Sequence, residues 1–439
     1  MQAATSWHLS VLPVPQYSQL SDHDASPNLE AGSYVMEQSQ AGQIDPAYAK
    51  NGYFSDLKFN HLGPAYFLEQ SQKMILTSAH RTDKGINILR VDSSGALDTS
   101  FGTQGVTSIL YPTAPRIFLT AIVTDREGRI FIIGDLNLAP DQYQPIVFRL
   151  LPDGQPDLDF GGEVPYRTYD IPEAQPDVRP YSSAGGGIIG DVLYFASRGR
   201  VVAVNLAGEL QPAFNGTGYW VATYKNAAAI LGGIAVNADS LIVSVSPTPT
   251  TDFADFVVIY HLTASGEVDR DFGERGELFI TIPDLPMLPK VLKHDAYNDR
   301  FVLACATQIN TLSESTALVR FTPDGRLDNT FNKGQPLRVE RPGESVTPLD
   351  IAFSHQPSAD EKIYLCVNGL KSASPFMTAR LDGSGKFDPL YGTDGWSALS
   401  GPGLANSVAC QRNGQPLCTA SLESLDNGCQ GLFLVRLYA

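Results

Sequence analysis

One eight-residue phrase recurs along nearly the whole chain and constrains its fold more than any other feature. It reads GALDTSFG at residues 95–102 and returns as GQPDLDFG at 154–161, GELQPAFN at 208–215 and GEVDRDFG at 266–273. Two further copies are GRLDNTFN at 325–332 and GKFDPLYG at 385–392, and a weaker one, GQIDPAYA, stands at 42–49. The first glycines are spaced by 53, 59, 54, 58, 59 and 60 residues, so one supersecondary unit is used seven times in 439 residues. A repeat array overrides chain length as a guide to domain count. Residues 33–439 are therefore expected to form one domain, with residues 1–32, which fit no repeat, as an N-terminal extension.

Each unit reads as four short strands, A to D. In the unit ending near Asp170 the runs are 118–123, 130–133, 146–150 and 164–167; in the fifth unit they are 290–292, 300–304, 317–321 and 337–339. These runs are β-branched or aromatic and bounded by Gly, Pro, Asn and Asp, the signal for strands and turns. The 39 glycines and 30 prolines leave little room for long helices. A possible strand at 34–36 precedes the first signature.

The signature lies between strands C and D. Its Asp-Gly or Ser-Gly pair (Asp153-Gly154, Ser265-Gly266, Asp324-Gly325) lets the chain turn, because glycine accepts a positive φ. Its terminal aromatic, Phe101, Phe160, Phe214, Phe272, Phe331, Tyr391 or Tyr48, is the natural plug between units. Burying each ring is worth about 2–3 kcal/mol. The Asp shortly before the aromatic is expected to cap the turn by accepting backbone N–H groups, although the third copy has Gln211 there.

Four antiparallel strands at a period of roughly 58 residues describe a propeller blade better than a solenoid coil. The chain ends on a C-like strand at 432–437 and opens its repeats with a signature and a D-like strand at 53–57. Joining the two closes a ring and removes two open sheet edges. The expected fold is all-β, a seven-bladed β-propeller of four-stranded antiparallel blades whose last blade is shared by the N- and C-terminal strands.

The phrases at 320–334 (RFTPDGRLDNTFNKG) and 90–105 (RVDSSGALDTSFGTQG) resemble the repeat of the bacterial delta-60 repeat β-propeller family. The resemblance covers roughly residues 33–439. It implies a bacterial propeller and little about activity, since members of that family often form part of larger surface or secreted proteins.

Charge and motifs limit the function. A formal net charge of -16 and a pI near 4.8 disfavour nucleic acid and anionic membrane, which are held by Lys/Arg patches. The N-terminus lacks a secretory signal pattern, and no apolar run approaches the ~20 residues of a membrane span. The expectation is a soluble, cytoplasmic monomer, with a secreted or cell-surface location as the alternative. Five cysteines, Cys305, Cys366, Cys410, Cys418 and Cys429, form no disulfide framework; Cys305, Cys366 and Cys418 fall on the same strand of successive repeats and read as core residues, with a Cys410–Cys418 bridge across a hairpin as an alternative.

No catalytic motif stands out. The loops joining D to A and B to C gather at one end of a propeller, and candidate binding residues there are His61, His80, Arg81, Asp83, Asp135 and Tyr143. Two histidines with a carboxylate suit metal binding or acid–base work, but their spacing matches no recognised set. Asp135 aligns with Ser197, Ser246, Thr307, Asn368 and Ser421, a polar ring that would line a channel mouth or satisfy strand-end backbone. Asp153, Asp157 and Asp159 invite calcium, yet the EF-hand order is absent. Tyr143, Tyr181, Trp220 and Trp396 offer stacking surfaces, the two tryptophans more as packing residues. No cofactor and no metal are expected. The resulting reading is a non-enzymatic binding scaffold presenting variable loops, chiefly 136–145, 247–255 and 308–315, to a protein or glycan partner. The alternative is a hydrolase or lyase acting at the channel mouth.

Overall fold

A computed structural model describes residues 41–56, 62–79, 85–111, 116–139, 142–172, 185–237, 240–247, 253–310, 313–354, 361–369, 376–399, 403–423 and 430–439. The extension 1–32 and the strand expected at 34–36 lie outside these residues. Seven four-stranded antiparallel sheets follow one another around a ring, six of them meanders in chain order and the seventh completed by the first strand of the chain. Blade 2 is typical, with strands Arg116–Thr124, Ile130–Ala139, Gln142–Leu150 and Tyr166–Thr168. In blade 5 they are Met287–Asp295, Arg300–Asn310, Ser313–Phe321 and Leu337–Val339.

The closing blade is built as the sequence implied. Strand Tyr53–Asp56 pairs antiparallel with Gln430–Arg436, Tyr53 opposite Val435 and Asp56 opposite Leu432. Tyr53 stacks on Phe433 with ring centroids 4.6 Å apart. Backbone bonds from Gly42 N to Tyr438 O (2.9 Å) and from Tyr438 N to Gln43 O (2.8 Å) extend the seam.

The seven signature aromatics are all buried, and each caps the hydrophobic layer between two blades. The glycine that opens the next signature is what lets the phenylalanines in: at Gly154, φ is +85° and a Cβ would stand 2.5 Å from the Phe101 ring. Gly208 and Phe160 repeat the arrangement at 2.6 Å. One glycine thus serves both a left-handed turn and a close approach.

The signature carboxylate does more than cap. Asp98 Oδ1 accepts the Ser100 N–H at 3.2 Å as expected, while Oδ2 takes Arg90 Nε at 2.7 Å and Lys73 Nζ at 2.6 Å. The same strand-C arginine recurs in Arg149–Asp157, Arg320–Asp328, Arg380–Asp388 and Arg436–Asp45, at 2.7 to 3.1 Å. Each of these guanidiniums also lies 4.6 to 5.2 Å from the centroid of its own blade's signature aromatic. Stacking orders the arginine and a fixed carboxylate satisfies it, so charge, ring and turn hold one another.

A backbone latch links consecutive signatures. The amide after the aromatic donates to the carbonyl preceding the next signature: Gly102 to Asp153 (2.7 Å), Asn215 to Ser265 (2.6 Å), Gly273 to Asp324 (2.9 Å) and Asn332 to Ser384 (2.9 Å). Gly392 to Ala41 (2.8 Å) and Ala49 to Ser94 (2.6 Å) carry the latch across the closing blade. At the junction of blades 2 and 3, Gly161 instead bonds Val164 O at 2.9 Å, and Arg149 Nη1 reaches Leu206 O at 2.6 Å.

Two loops expected on the opposite end are longer hairpins than the sequence showed. The ladder of blade 2 continues through Leu136↔Gln144 and Asn137↔Tyr143, and that of blade 5 through Gln308↔Glu314. Polar residues at these tips masked the strands, because paired edges beyond the core need no apolar alternation. Most of the third loop, 247–255, lies outside the described residues.

Candidate functional site at the junction of blades 2 and 3

An antiparallel meander sends its A–B and C–D connections to one end of the ring and its B–C and D–A connections to the other. The signatures occupy the first end. At the second end, the structure brings Asp135 and Tyr143 into one cluster. Asp135 sits on the second strand of blade 2, opposite Phe118 on one side and Pro145 on the other. Tyr143 lies on the third strand, opposite Asn137.

Blade 3 completes the cluster with a tight hairpin. Its strand Val192–Ser197 turns through Arg198-Gly199, at φ +42° and +76°, into strand Arg200–Asn205. Two residues with positive φ match the right-handed twist of the strands they join. Ser197 Oγ donates to Asp135 Oδ1 at 2.6 Å across the blade junction. Arg198 places its guanidinium carbon 3.0 Å from the Tyr143 ring centroid. Arg200 is fully buried and donates Nη1 to the carbonyls of Ile171 (3.0 Å) and Pro172, where the D–A connection begins.

Blade 2 supplies the outer part. The guanidinium of Arg116 lies 4.6 Å from the Phe118 ring centroid, and Phe118 stands 6.1 Å from Tyr143 at an interplanar angle of 49°. Arg116 is exposed, and Phe118 and Tyr143 are half-buried. The surface is therefore the exposed Arg116 with two half-buried rings, backed by the buried guanidinium of Arg198 against Tyr143.

Asp135 lies beneath them, only 1% exposed. Burial pushes its carboxyl above the usual range, against the opposing influence of the Ser197 hydrogen bond and the charges of Arg198 and Arg200. Its place is to anchor the neighbouring blade. At equivalent positions, Asn368 Oδ1 likewise accepts the Ala405 N–H of the next blade at 2.7 Å, whereas Thr307 Oγ1 pairs with Ser315 Oγ within its own blade at 2.6 Å.

His61, His80, Arg81 and Asp83 lie outside the described residues, as do Tyr181 and Cys429. Among the described residues no three His, Cys, Asp or Glu side chains converge as a metal set. Trp220 and Trp396 are buried packing residues. Cys305, Cys366, Cys410 and Cys418 are free thiols, and burial pushes that of Cys410 up to about 12. No described helix is long and apolar enough to cross a membrane. Sequence reasoning missed Arg116, Phe118, Arg198 and Arg200. The Ser-Arg-Gly-Arg run at 197–200, between two apolar runs, was the available sign of a tight hairpin.

Comparison with known proteins agrees with the architecture. A family model described as "Domain of unknown function (DUF5122) beta-propeller" matches residues 312–331, the stretch ending on the fifth signature aromatic. The propeller domain of Cps50 (Swd1) from Myceliophteria thermophila superposes with a TM-score of 0.50 at 9% identity, covering 88% of this chain and 99% of that one. The periplasmic gluconolactonase PpgL of Pseudomonas aeruginosa gives 0.45 at 13% identity, over 82% and 93% of the two chains. The propeller domain of the Trilobed protease of Pyrococcus furiosus gives 0.44 at 12%, over 87% and 94%. No curated protein matches the sequence. The first of these, with a TM-score of 0.50 at 9% identity, speaks for the fold alone.

Proposed function

We propose that the protein is a non-enzymatic binding scaffold whose B–C and D–A end receives a protein or glycan partner. The observation that carries this reading is the unequal use of polar side chains at the two ends. On the signature end, arginines and aspartates are consumed in ring-locking bonds repeated blade after blade. At the other end, Arg116, Phe118 and Tyr143 form a partly exposed arginine–aromatic surface whose guanidinium is not drawn into the repeated signature bonds. Tyr and Arg are the side chains that most often anchor interfaces, because they bring large contact area together with fixed hydrogen-bond groups. Variable hairpins on a rigid ring are a common place for recognition.

The test is to shorten the blade 2 hairpin 136–145 to a two-residue turn like that of blade 3 and to screen protein and glycan ligands with both forms. Association that is lost on shortening, with melting unchanged, is the expected result. Turnover of a substrate that disappears in His61→Ala or His80→Ala protein with unaltered melting would overturn the scaffold in favour of an enzyme.

A further inference from the structure

We infer that Asn215, in the turn between the third signature and its D strand, is a site of spontaneous deamidation whose isoaspartyl product loosens the junction of blades 3 and 4. The inference is independent of the scaffold reading. The sequence holds Asn-Gly at 51–52, 215–216, 368–369, 413–414 and 427–428, the last outside the described residues. A glycine after asparagine has no side chain to obstruct its nitrogen, so this pair favours attack of the main-chain nitrogen on the side-chain amide. The fold then ranks the four described pairs by how firmly that nitrogen is held.

Gly52 N donates to Tyr48 O at 2.7 Å and Gly414 N to Gln411 O at 2.9 Å, and both glycines are buried. Asn368 and Gly369 end a strand, with Asn368 paired on both sides and its Oδ1 accepting the Ala405 N–H at 2.7 Å. Gly216, by contrast, is exposed, donates to no carbonyl among the described residues and has nothing within 4 Å of where a Cβ would stand. Asn215 is exposed as well, and its Nδ2 donates to Tyr219 O at 3.0 Å. The turn opens first, since the side chain must leave Tyr219 O and swing over the Gly216 nitrogen. That nitrogen loses its proton to solvent base and bonds to Asn215 Cγ; the Cγ–Nδ2 bond breaks and ammonia leaves, giving a succinimide. One water then opens the ring, at the former side-chain carbonyl to aspartate or at the main-chain carbonyl to isoaspartate.

Isoaspartate adds a carbon to the main chain where the ring has least to spare. The Asn215 N–H makes the latch to Ser265 O at 2.6 Å, and the added carbon falls inside the turn that Phe214 O closes on Thr217 and Gly218 N–H, at 3.2 and 2.8 Å. In other blades the clamp arginine also reaches the next blade: Arg90 Nη1 to Pro152 O at 2.7 Å, Arg149 Nη1 to Leu206 O at 2.6 Å and Arg320 Nη1 to Glu361 Oε1 at 3.0 Å. Blade 3 has Ala203 in that place, so this junction keeps the latch without the arginine.

The experiment ages the full chain in mildly alkaline buffer and maps its peptides by mass, with isoaspartyl methyltransferase as the reagent for isoaspartate. Asn215 should convert at least about fivefold faster than Asn51, Asn368 or Asn413, the factor that one backbone hydrogen bond adds to local opening. In urea the four rates should converge. Equal rates in the folded protein, or the same lead for Asn215 in urea, would overturn the inference. Aged protein should melt below fresh protein, whereas Asn215→Asp, which adds the charge without the carbon, should melt near the parent. Asn215→Gln, whose longer side chain closes no five-membered ring, should keep its melting temperature on ageing. Aged protein that melts like fresh protein, or an Asn215→Asp loss as large as that of ageing, would remove the latch from the argument.

Discussion

Blades 1, 2, 5, 6 and 7 grip their signature carboxylate with an arginine, whereas blades 3 and 4 do not. Blade 4 substitutes His261, whose Nδ1 lies 3.0 Å from Asp269 Oδ2, and blade 3 has Ala203 opposite Gln211. Yet Phe214 and Phe272 are as buried as their counterparts, and the backbone latches Asn215–Ser265 and Gly273–Asp324 are kept. The difference teaches that the plug is what every blade keeps, while the ionic clamp, like the latch that the junction of blades 2 and 3 lacks, is added strength. Blade 3 is also the smallest, with strands of 4, 6, 6 and 3 residues. Its tight hairpin is what admits Arg198 to the surface of blade 2.

The largest expected effect comes from breaking the ring itself. Deleting residues 430–439 removes the partner of Tyr53–Asp56 and exposes two sheet edges, and cooperative thermal unfolding should be lost. A truncated chain that melts like the intact one would show that closure contributes nothing to either sector.

Next, Phe331→Ala in the clamped sector and Phe214→Ala in the unclamped one should each cost about 3–5 kcal/mol in urea unfolding. Equal losses support the plug as the shared element. A much smaller loss at Phe214 would mean that the ring depends on its guanidinium. Arg320→Met should cost a similar amount, about 3–5 kcal/mol, because it leaves buried Asp328 without its main cation. His261→Met, removing a single hydrogen bond, should cost about 1 kcal/mol.

Acid sharpens the same contrast. Burial by itself raises the signature carboxyls, but hydrogen bonds outweigh it. Lys73, Ser100 and Arg90 hold Asp98 low, and Thr330 with Arg320 holds Asp328 low. Lys362 and Leu390 do so for Asp388, and Ala47, Gln415 and Arg436 for Asp45. A carboxyl whose pKa is lower folded than unfolded stabilises above the unfolded value, near 4, and that contribution disappears as pH falls through the folded pKa. Urea stability should therefore drop between about pH 5 and pH 2, and less steeply in Asp328→Asn, which has one fewer such group. An unchanged slope would remove Asp328 from the clamp.

The smallest effects distinguish two tyrosines. Tyr391 Oη is 2.8 Å from Thr378 Oγ1, while the buried Tyr48 hydroxyl finds no hydrogen-bond partner among the described residues. Tyr391→Phe should lose about 1 kcal/mol and Tyr48→Phe should gain a comparable amount, read from urea midpoints. The reverse order would show that Tyr48 is satisfied.

Much of this architecture was legible in one dimension. Seven Gly-to-aromatic phrases at near-constant spacing, with a C-like strand at one end and a D-like strand at the other, led directly to seven blades and their closure, because local turn chemistry and strand patterning agree in every repeat. The role of Asp98 and its equivalents was half visible: the turn cap is a contact two residues away, but its arginine is eight residues back on another strand. The candidate site was legible only as Asp135 and Tyr143.

What the sequence determined alone was therefore periodic: strand order, turn positions, the buried ring in each repeat, and an acidic surface. Tertiary structure decided which unrepeated side chains meet. Arg116 and Arg198 are 82 residues apart, on different blades, and meet one aromatic cluster because a short hairpin in blade 3 stands beside a long one in blade 2. Periodicity records what every blade needs in order to pack. A site made at a single junction belongs to no period, so only the folded ring brings its parts together.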